Sequence, residues 1–220
     1  MKVKNSFIIM GLALLLSSCI VKSLQPFYTV ESQHFDERLI GDFITKSKST
    51  WKFISFKKEW EQENQGQTKL MKEDLDTFER YKNAYVVEYI SRDKDALFIA
   101  MPFKVGDDLF LDFTPFEYEE SSINSMAAQH LIKAHSAAYV NFNEDGSIKL
   151  SWISETVLKR LFKEQKLKLK HENVGIDDDL VLTASSEELQ AFLKKFMASN
   201  IENKWKKDDT STLKPYNAKP

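Results

Sequence analysis

Apolar and polar residues alternate most regularly over residues 84–115, and the rest of the chain is organised around this stretch. Successive side chains of a β-strand point to opposite faces, so a period of two predicts strands. The connecting segments, 92–95 and 106–108, are rich in Asp and Gly and are typical of turns. The pattern therefore predicts an antiparallel meander of three strands, at about residues 85–91, 96–104 and 109–113.

Shorter alternating segments predict further strands. Around the Asp-Gly pair, Asn143 to Gly146 form a hairpin turn, and Ile148, Leu150 and Trp152 share one face of the return strand. The remaining strands are predicted at about residues 39–43, 50–56, 134–142, 147–153, 168–171 and 180–183.

Three segments repeat their apolar residues at helical spacing. The first covers residues 70–81. The second begins after Ser154, a possible N-cap, and the third after Ser185, which can form a capping box with Glu188. The apolar stripes consist of Met71, Leu75 and Phe78 in the first helix, Leu158, Leu161 and Phe162 in the second, and Leu189, Phe192, Leu193, Phe196 and Met197 in the third.

Composition supports a folded domain. Of 220 residues, 42% are hydrophobic, and 16 Phe stand against 6 Gly. Burying one Phe contributes roughly 1.5–3 kcal/mol, so a core forms without disulfides. The fold class predicted is mainly β (α+β by content): an antiparallel curved sheet or barrel, with two or three helices that are mostly C-terminal. An open α+β sandwich with the helices on one face is the alternative.

The N-terminal residues have the pattern of an export signal. Lys2 and Lys4 precede an apolar run at 7–16, too short for a bilayer span but typical of a signal peptide. The run ends in Leu16-Ser17-Ser18-Cys19, which resembles the lipobox of bacterial lipoproteins. The resemblance implies cleavage before Cys19 and lipidation of Cys19, the only cysteine. The alternative is an ordinary secretory signal that contains a cysteine.

This interpretation divides the chain into four parts. They are a lipoprotein signal peptide at 1–18, a lipidated tether at 19–35, a single β-rich globular domain at 36–199 and a loosely ordered tail at 200–220. Ile20 follows the cysteine. The lipoprotein resemblance implies a protein of the bacterial cell envelope that is anchored in a membrane by its lipid. In that family, the lack of Asp after the cysteine favours the periplasmic face of the outer membrane over the inner membrane.

Other short motifs resemble a set of uncharacterised bacterial lipoproteins, among them Ser23-Leu24-Gln25-Pro26-Phe27-Tyr28 and Leu109-Phe110-Leu111-Asp112-Phe113. Gly41-Asp42-Phe43 is also similar to the Gly-any-Trp opening of lipocalin-like barrels. The resemblance implies a lipocalin-like β domain and no assigned activity.

Candidate catalytic and metal-binding residues each have a simpler explanation. His130 and His135 are five apart, which places them on opposite faces of one strand and favours structural roles. Asp177-Asp178-Asp179 lack the spacing of a calcium loop. Glu117, Glu119 and Glu120 indicate an exposed acidic loop. The sequence predicts no catalytic, cofactor-binding or metal site, no cofactor and no enzyme.

Three functions remain in view. The first is a non-catalytic module, anchored in the membrane through the lipid on Cys19, that binds an envelope protein partner. The second is a carrier of a small apolar ligand or lipid in a barrel, since strand aromatics can line its interior. The third, an envelope hydrolase, rests on the histidine pair and scattered acids. Cleavage of the signal peptide removes Lys2 and Lys4 and changes the formal net charge from −2 to −2 − 2 = −4. A negative net charge argues against nucleic acid as a binding partner. The strand aromatics are Trp51, Phe53, Phe98, Phe110, Phe142 and Trp152.

Overall fold

The computed structural model describes residues 20–65, 70–92, 94–117 and 131–216. The fold is mainly β, with a closed antiparallel barrel of eight strands and four α-helices in the described residues. This confirms the predicted fold class. Of the two predicted forms, a curved sheet and a barrel, the structure has the barrel. In chain order the strands are β1 (Lys22–Ser23), β2 (Gly41–Ile44), β3 (Thr50–Ser55), β4 (Tyr85–Ser91), β5 (Lys94–Val105), β6 (Asp108–Glu117), β7 (Ser136–Phe142), β8 (Ile148–Trp152), β9 (His171–Val174), β10 (Asp179–Leu182) and β11 (Thr210–Pro215).

The barrel follows the order β11-β2-β3-β4-β5-β6-β7-β8, so each strand pairs with its neighbours in sequence except where β11 closes the ring. The upper end is defined here as the end with the β2–β3 and β4–β5 turns. The lower end carries the β5–β6 and β7–β8 turns. A 3₁₀ turn, Glu37–Leu39, lies at the lower end, where Leu39 is fully buried against the barrel interior.

Helices and a small sheet cover one side of the barrel. The helices are α1 (Phe56–Glu63), α2 (Lys72–Tyr81), α3 (Glu155–Lys163) and α4 (Ser186–Ala198). The small sheet has the order β1-β10-β9, with β1 parallel to β10. None of the helices in the described ranges has the length and hydropathy needed to cross a membrane.

Strand β5 is apolar on both faces because it separates two cores. Phe98 and Ala100 point into the barrel cluster, whereas Ile99 and Met101 pack outside it with α1 and α2. Phe103 belongs to the outer core beneath α3, α4 and the small sheet. Because both faces of β5 are buried, apolar residues occupy both faces and do not alternate with polar ones.

Residues 20–35 are part of the domain rather than a free tether. Val21 and Phe27 are buried, and Ser23 exchanges two backbone hydrogen bonds with His135. The segment runs from the upper end, where Ile20 pairs with Ser154, and then pairs beside β5 at Gln33. The predicted start of the globular part at residue 36 is therefore too late.

The predicted loosely ordered tail is also wrong over part of its length. Strand β11 pairs with β8 and β2 and closes the barrel, with Leu213 fully buried inside. Trp205 stacks on Tyr139 at 5.7 Å between ring centroids and contacts Phe196 edge-on at 5.4 Å. Helix α1, which extends to Glu63, is a fourth helix beyond the two or three predicted.

Candidate functional site

Barrel proteins commonly bind ligands in the barrel interior. In this barrel, aromatic side chains fill the upper half of the interior. We call Trp51, Tyr89, Phe98, Phe113 and Trp152 the mouth cluster. The Trp51 ring lies 4.5 Å from that of Tyr89 and 6.1 Å from those of Phe113 and Trp152, centroid to centroid. Within the described residues, the buried Nε1 of Trp51 has no hydrogen-bond acceptor. The aromatics thus form a packed plug beneath the upper end.

Of the strand aromatics predicted from the sequence, most belong to this interior. Trp51, Phe53, Phe98, Phe142 and Trp152 contact the barrel cluster. Phe110 points outward and joins the outer core.

A groove of about 990 Å³ lies outside the barrel, between α4 and the extended segment 165–170 that follows α3. The segment alternates Lys and Leu, so its leucines turn toward the outer core and its lysines toward solvent. A pocket of about 410 Å³ adjoins it and shares Leu161, Lys166 and Ile201. The floor of the groove consists of Leu161, Leu167, Leu169, Phe192, Phe196 and Ile201.

The rim of the groove is cationic. Lys166 pairs with Glu164 at 2.7 Å, and Lys170 pairs with Glu188 at 3.3 Å. The other two rim lysines, Lys168 and Lys195, form no ion pair with any residue that the structure describes. An apolar floor beside two unpaired ammonium groups is complementary to a molecule with an apolar body and an acidic head.

A buried polar cluster on the outer face of β6 is the only place where a predicted candidate histidine meets an acid in the described residues. Asp112 is 1% exposed. Its Oδ1 lies 2.7 Å from Nδ1 of His135, and its Oδ2 accepts the backbone N–H of Phe27 at 2.7 Å. Thr114 Oγ1 lies 2.9 Å from the same Nδ1. Burial, with the Asp112 charge as the second cause, raises the pKa of Tyr28 to about 12.

This arrangement is that of a structural fastening rather than a catalytic one. In a serine-type triad the acid and the nucleophile contact different nitrogens of the histidine. Here Asp112 and Thr114 both lie against Nδ1 of His135, so the hydroxyl is not placed for activation through Nε2. The cluster joins the segment containing Phe27 to strands β6 and β7.

The other sequence candidates do not come together. His130, Glu119, Glu120 and the lipidation candidate Cys19 lie outside the described residues, as does the side chain of Glu117. Asp177 and Asp178 are exposed in the β9–β10 turn, and Asp179 pairs with Lys22 at 2.6 Å. In the part of the chain that the structure describes, no group of three potential metal ligands occurs.

Comparisons with known proteins assign no function to the groove or to the buried polar cluster. No family model matches the chain, and no curated protein or solved structure matches it significantly.

Sequence reasoning missed the groove. The alternation Lys166-Leu167-Lys168-Leu169-Lys170 predicts a strand at 168–171 and does not encode the contact of this segment with α4. In the structure the strand begins only at His171, whose ring stacks on Phe162 at 3.8 Å between centroids.

Proposed function

We propose that this protein is a lipid-anchored lipoprotein of the bacterial cell envelope whose barrel domain binds an anionic amphiphile without catalysis. The anchor is the lipid on Cys19. The ligand class is a long acyl chain with an acidic head, such as a fatty acid. The closed barrel is compatible with a lipocalin-like carrier, and the groove beside α4 is the site that we assign to the ligand.

One observation carries the proposal: a groove of about 990 Å³ has an apolar floor and is bordered by Lys168 and Lys195. That volume lies at the upper end of the range for small-molecule sites. The floor accepts the acyl chain through burial of apolar surface, and the ammonium groups face the carboxylate. The mouth cluster already fills the upper barrel interior, so the groove is the more accessible apolar surface.

The test is titration of the folded domain with a fluorescent fatty acid and with its methyl ester. Ala191 is exposed on α4 and lines the groove, whereas Ala198 is exposed on the same helix and does not. We expect Ala191→Trp to weaken fatty-acid binding by about tenfold or more, equivalent to ~1.4 kcal/mol. Ala198→Trp serves as the matched control and should bind like the wild type.

A second pair tests the head group. Lys195→Glu places an acid on the rim, while Lys194→Glu makes the same change at an exposed neighbour outside the groove. Lys195→Glu should weaken binding of the acid more than binding of the ester. Wild-type protein that binds neither probe, or equal binding by Ala191→Trp and Ala198→Trp, overturns the ligand assignment.

Occupation of the groove by an envelope protein partner is the competing outcome. It requires that the fatty acid does not bind and that a pull-down from detergent-solubilised envelope recovers a stoichiometric partner that Ala191→Trp loses. The anchor is tested separately. Cys19→Ser should move the protein from the membrane fraction to the soluble fraction, and a variant that stays on the membrane contradicts the lipid anchor.

A further inference from the structure

Residue 20, the first described residue after Cys19, is held at the upper end of the barrel. Ile20 pairs with Ser154, two residues after the end of β8, and packs against the barrel interior cluster. Val21 donates its N–H to the carbonyl of Ile153 at 3.1 Å. Covalent geometry keeps consecutive Cα atoms ~3.8 Å apart, so any lipid on Cys19 enters the bilayer beside this end of the barrel.

The same end exposes large apolar side chains. Ile90 is 47% exposed at the end of β4, and Phe116 is 38% exposed near the end of β6. Leu131 and Ile132, just before β7, are 45% and 71% exposed. The aromatic mouth cluster lies inside the barrel at the same end. At the lower end the buried Leu39 and the 3₁₀ turn cover the barrel interior, and Tyr216 is the one large apolar side chain beside the start of β2 that is exposed, at 40%, in the described residues.

Polar residues on the adjacent turns complete an interface pattern. Lys46 and Lys48 are exposed in the β2–β3 turn, and Arg92 and Lys94 at the β4–β5 turn. Asp95 is exposed next to them, so the rim has mixed charge and not a strong positive field. Long basic side chains around an apolar, aromatic centre are suited to the boundary between headgroups and acyl chains.

We infer that the upper end of the barrel is the membrane-facing surface of the protein and rests against the bilayer that holds Cys19. The inference rests on the lipid anchor of the proposed function. It adds an orientation: Ile90, Phe116, Leu131 and Ile132 contact the lipid surface, and the lower end faces away. Residues 20–23 form backbone pairs with the domain, so no flexible linker in the described residues separates the domain from the lipid on Cys19.

Single introduced cysteines can report this orientation, since lipidation consumes the native thiol. Ser47→Cys and Leu131→Cys place a fluorophore at the upper end, and Asp107→Cys places the same fluorophore in the β5–β6 turn at the lower end. The lipidated protein is reconstituted in vesicles of phosphatidylethanolamine and phosphatidylglycerol. We expect the two upper probes to shift to the blue and to be quenched by lipid-borne quenchers. The Asp107→Cys probe should remain open to aqueous iodide.

Failure of the orientation is distinguishable from failure of the anchor. If the labelled proteins float with the vesicles but all three probes respond alike, the anchor holds and the orientation is wrong. If none of them floats, the anchor itself is wrong. A Leu131→Asp and Ile132→Asp double variant gives a second measure: it should still float, with the Ser47→Cys probe losing its lipid quenching.

Discussion

The backbone N–H of Phe27 donates to the buried carboxylate of Asp112 at 2.7 Å, across 85 positions of sequence. The same carboxylate meets His135 through its other oxygen. Asp112 therefore fastens the N-terminal segment to the outer wall of the barrel, and both of its oxygens are engaged. A buried carboxylate of this kind is tolerated only because its partners are complete.

Removing the carboxylate should loosen the N-terminal segment. We expect Asp112→Ala to lower the free energy of unfolding by about 1–3 kcal/mol, because it leaves the buried N–H of Phe27 without an acceptor and removes the carboxylate contact of His135. Urea unfolding gives this number, and limited proteolysis should show faster cleavage within residues 24–33. Asp42→Ala, at an exposed position of β2, is the control. Unchanged stability and cleavage in Asp112→Ala would contradict the fastening role.

The Asp36–Arg38 pair makes stability at the lower end depend on pH. Arg38 Nη2 lies 2.6 Å from Asp36 Oδ2, and hydrogen bonding to Arg38 lowers the pKa of Asp36. A carboxylate with a lowered folded pKa stabilises the protein above its unfolded pKa of about 3.9 and loses that contribution as pH falls through the folded value. We expect Asp36→Asn to cost at most about 1 kcal/mol at pH 6 and progressively less below pH 4.

Urea unfolding of the wild type and of Asp36→Asn between pH 3 and 6 measures that difference. Arg38→Ala should remove most of the pH dependence of the difference. It should also cost some stability at every pH, since the guanidinium carbon lies 3.8 Å from the Phe142 ring centroid. A constant difference across the whole range would show that the pair does not titrate as described.

Strand β11 is required for a closed barrel. Leu213 is fully buried opposite Ile148, whereas its neighbour Lys214 is exposed. Leu213→Ala should lower the free energy of unfolding by about 2–5 kcal/mol through lost burial and a residual cavity. Lys214→Ala should change it by less than about 0.5 kcal/mol. Equal, small effects of both substitutions would mean that the C-terminal segment is as loosely held as its composition indicates.

The meander formed by β4, β5 and β6 was predictable because local alternation and turn residues agree there. The last helix was predictable for the same reason: its capping box between Ser185 and Glu188 is present in the structure, with Ser185 Oγ accepting the N–H of Glu188 at 3.3 Å. In such segments, local signals and tertiary packing favour the same conformation.

Where the prediction failed, the determining partner is distant in sequence. Leu213 is the only large apolar residue of β11, so that strand is specified by its neighbours β2 and β8 rather than by its own pattern. Helix α1 has a sparse apolar face, Phe56 and Trp60, and a predominantly polar sequence that resembles a loop. Sequence alone did not decide which face of β5 enters the barrel, because both faces are apolar.

The candidate site divides in the same way. The aromatic strands were recognisable in advance, but the groove depends on how the segment 165–170 lies against α4, and no local pattern encodes that contact. Asp112 and His135 are 23 positions apart and lie on neighbouring strands. Their pairing follows from the register of β6 with β7, in which Phe113 lies opposite Ser136.

Closure of the ring by β11 also sets the order of events during folding. Pro215 lies opposite Phe43, so the first barrel strand to be synthesised pairs with the last. Until β11 has paired with it, β2 keeps an unpaired edge that other polypeptides can join. Such long-range pairing slows folding, and the edge of β2 stays open to aggregation for as long as β11 is unpaired.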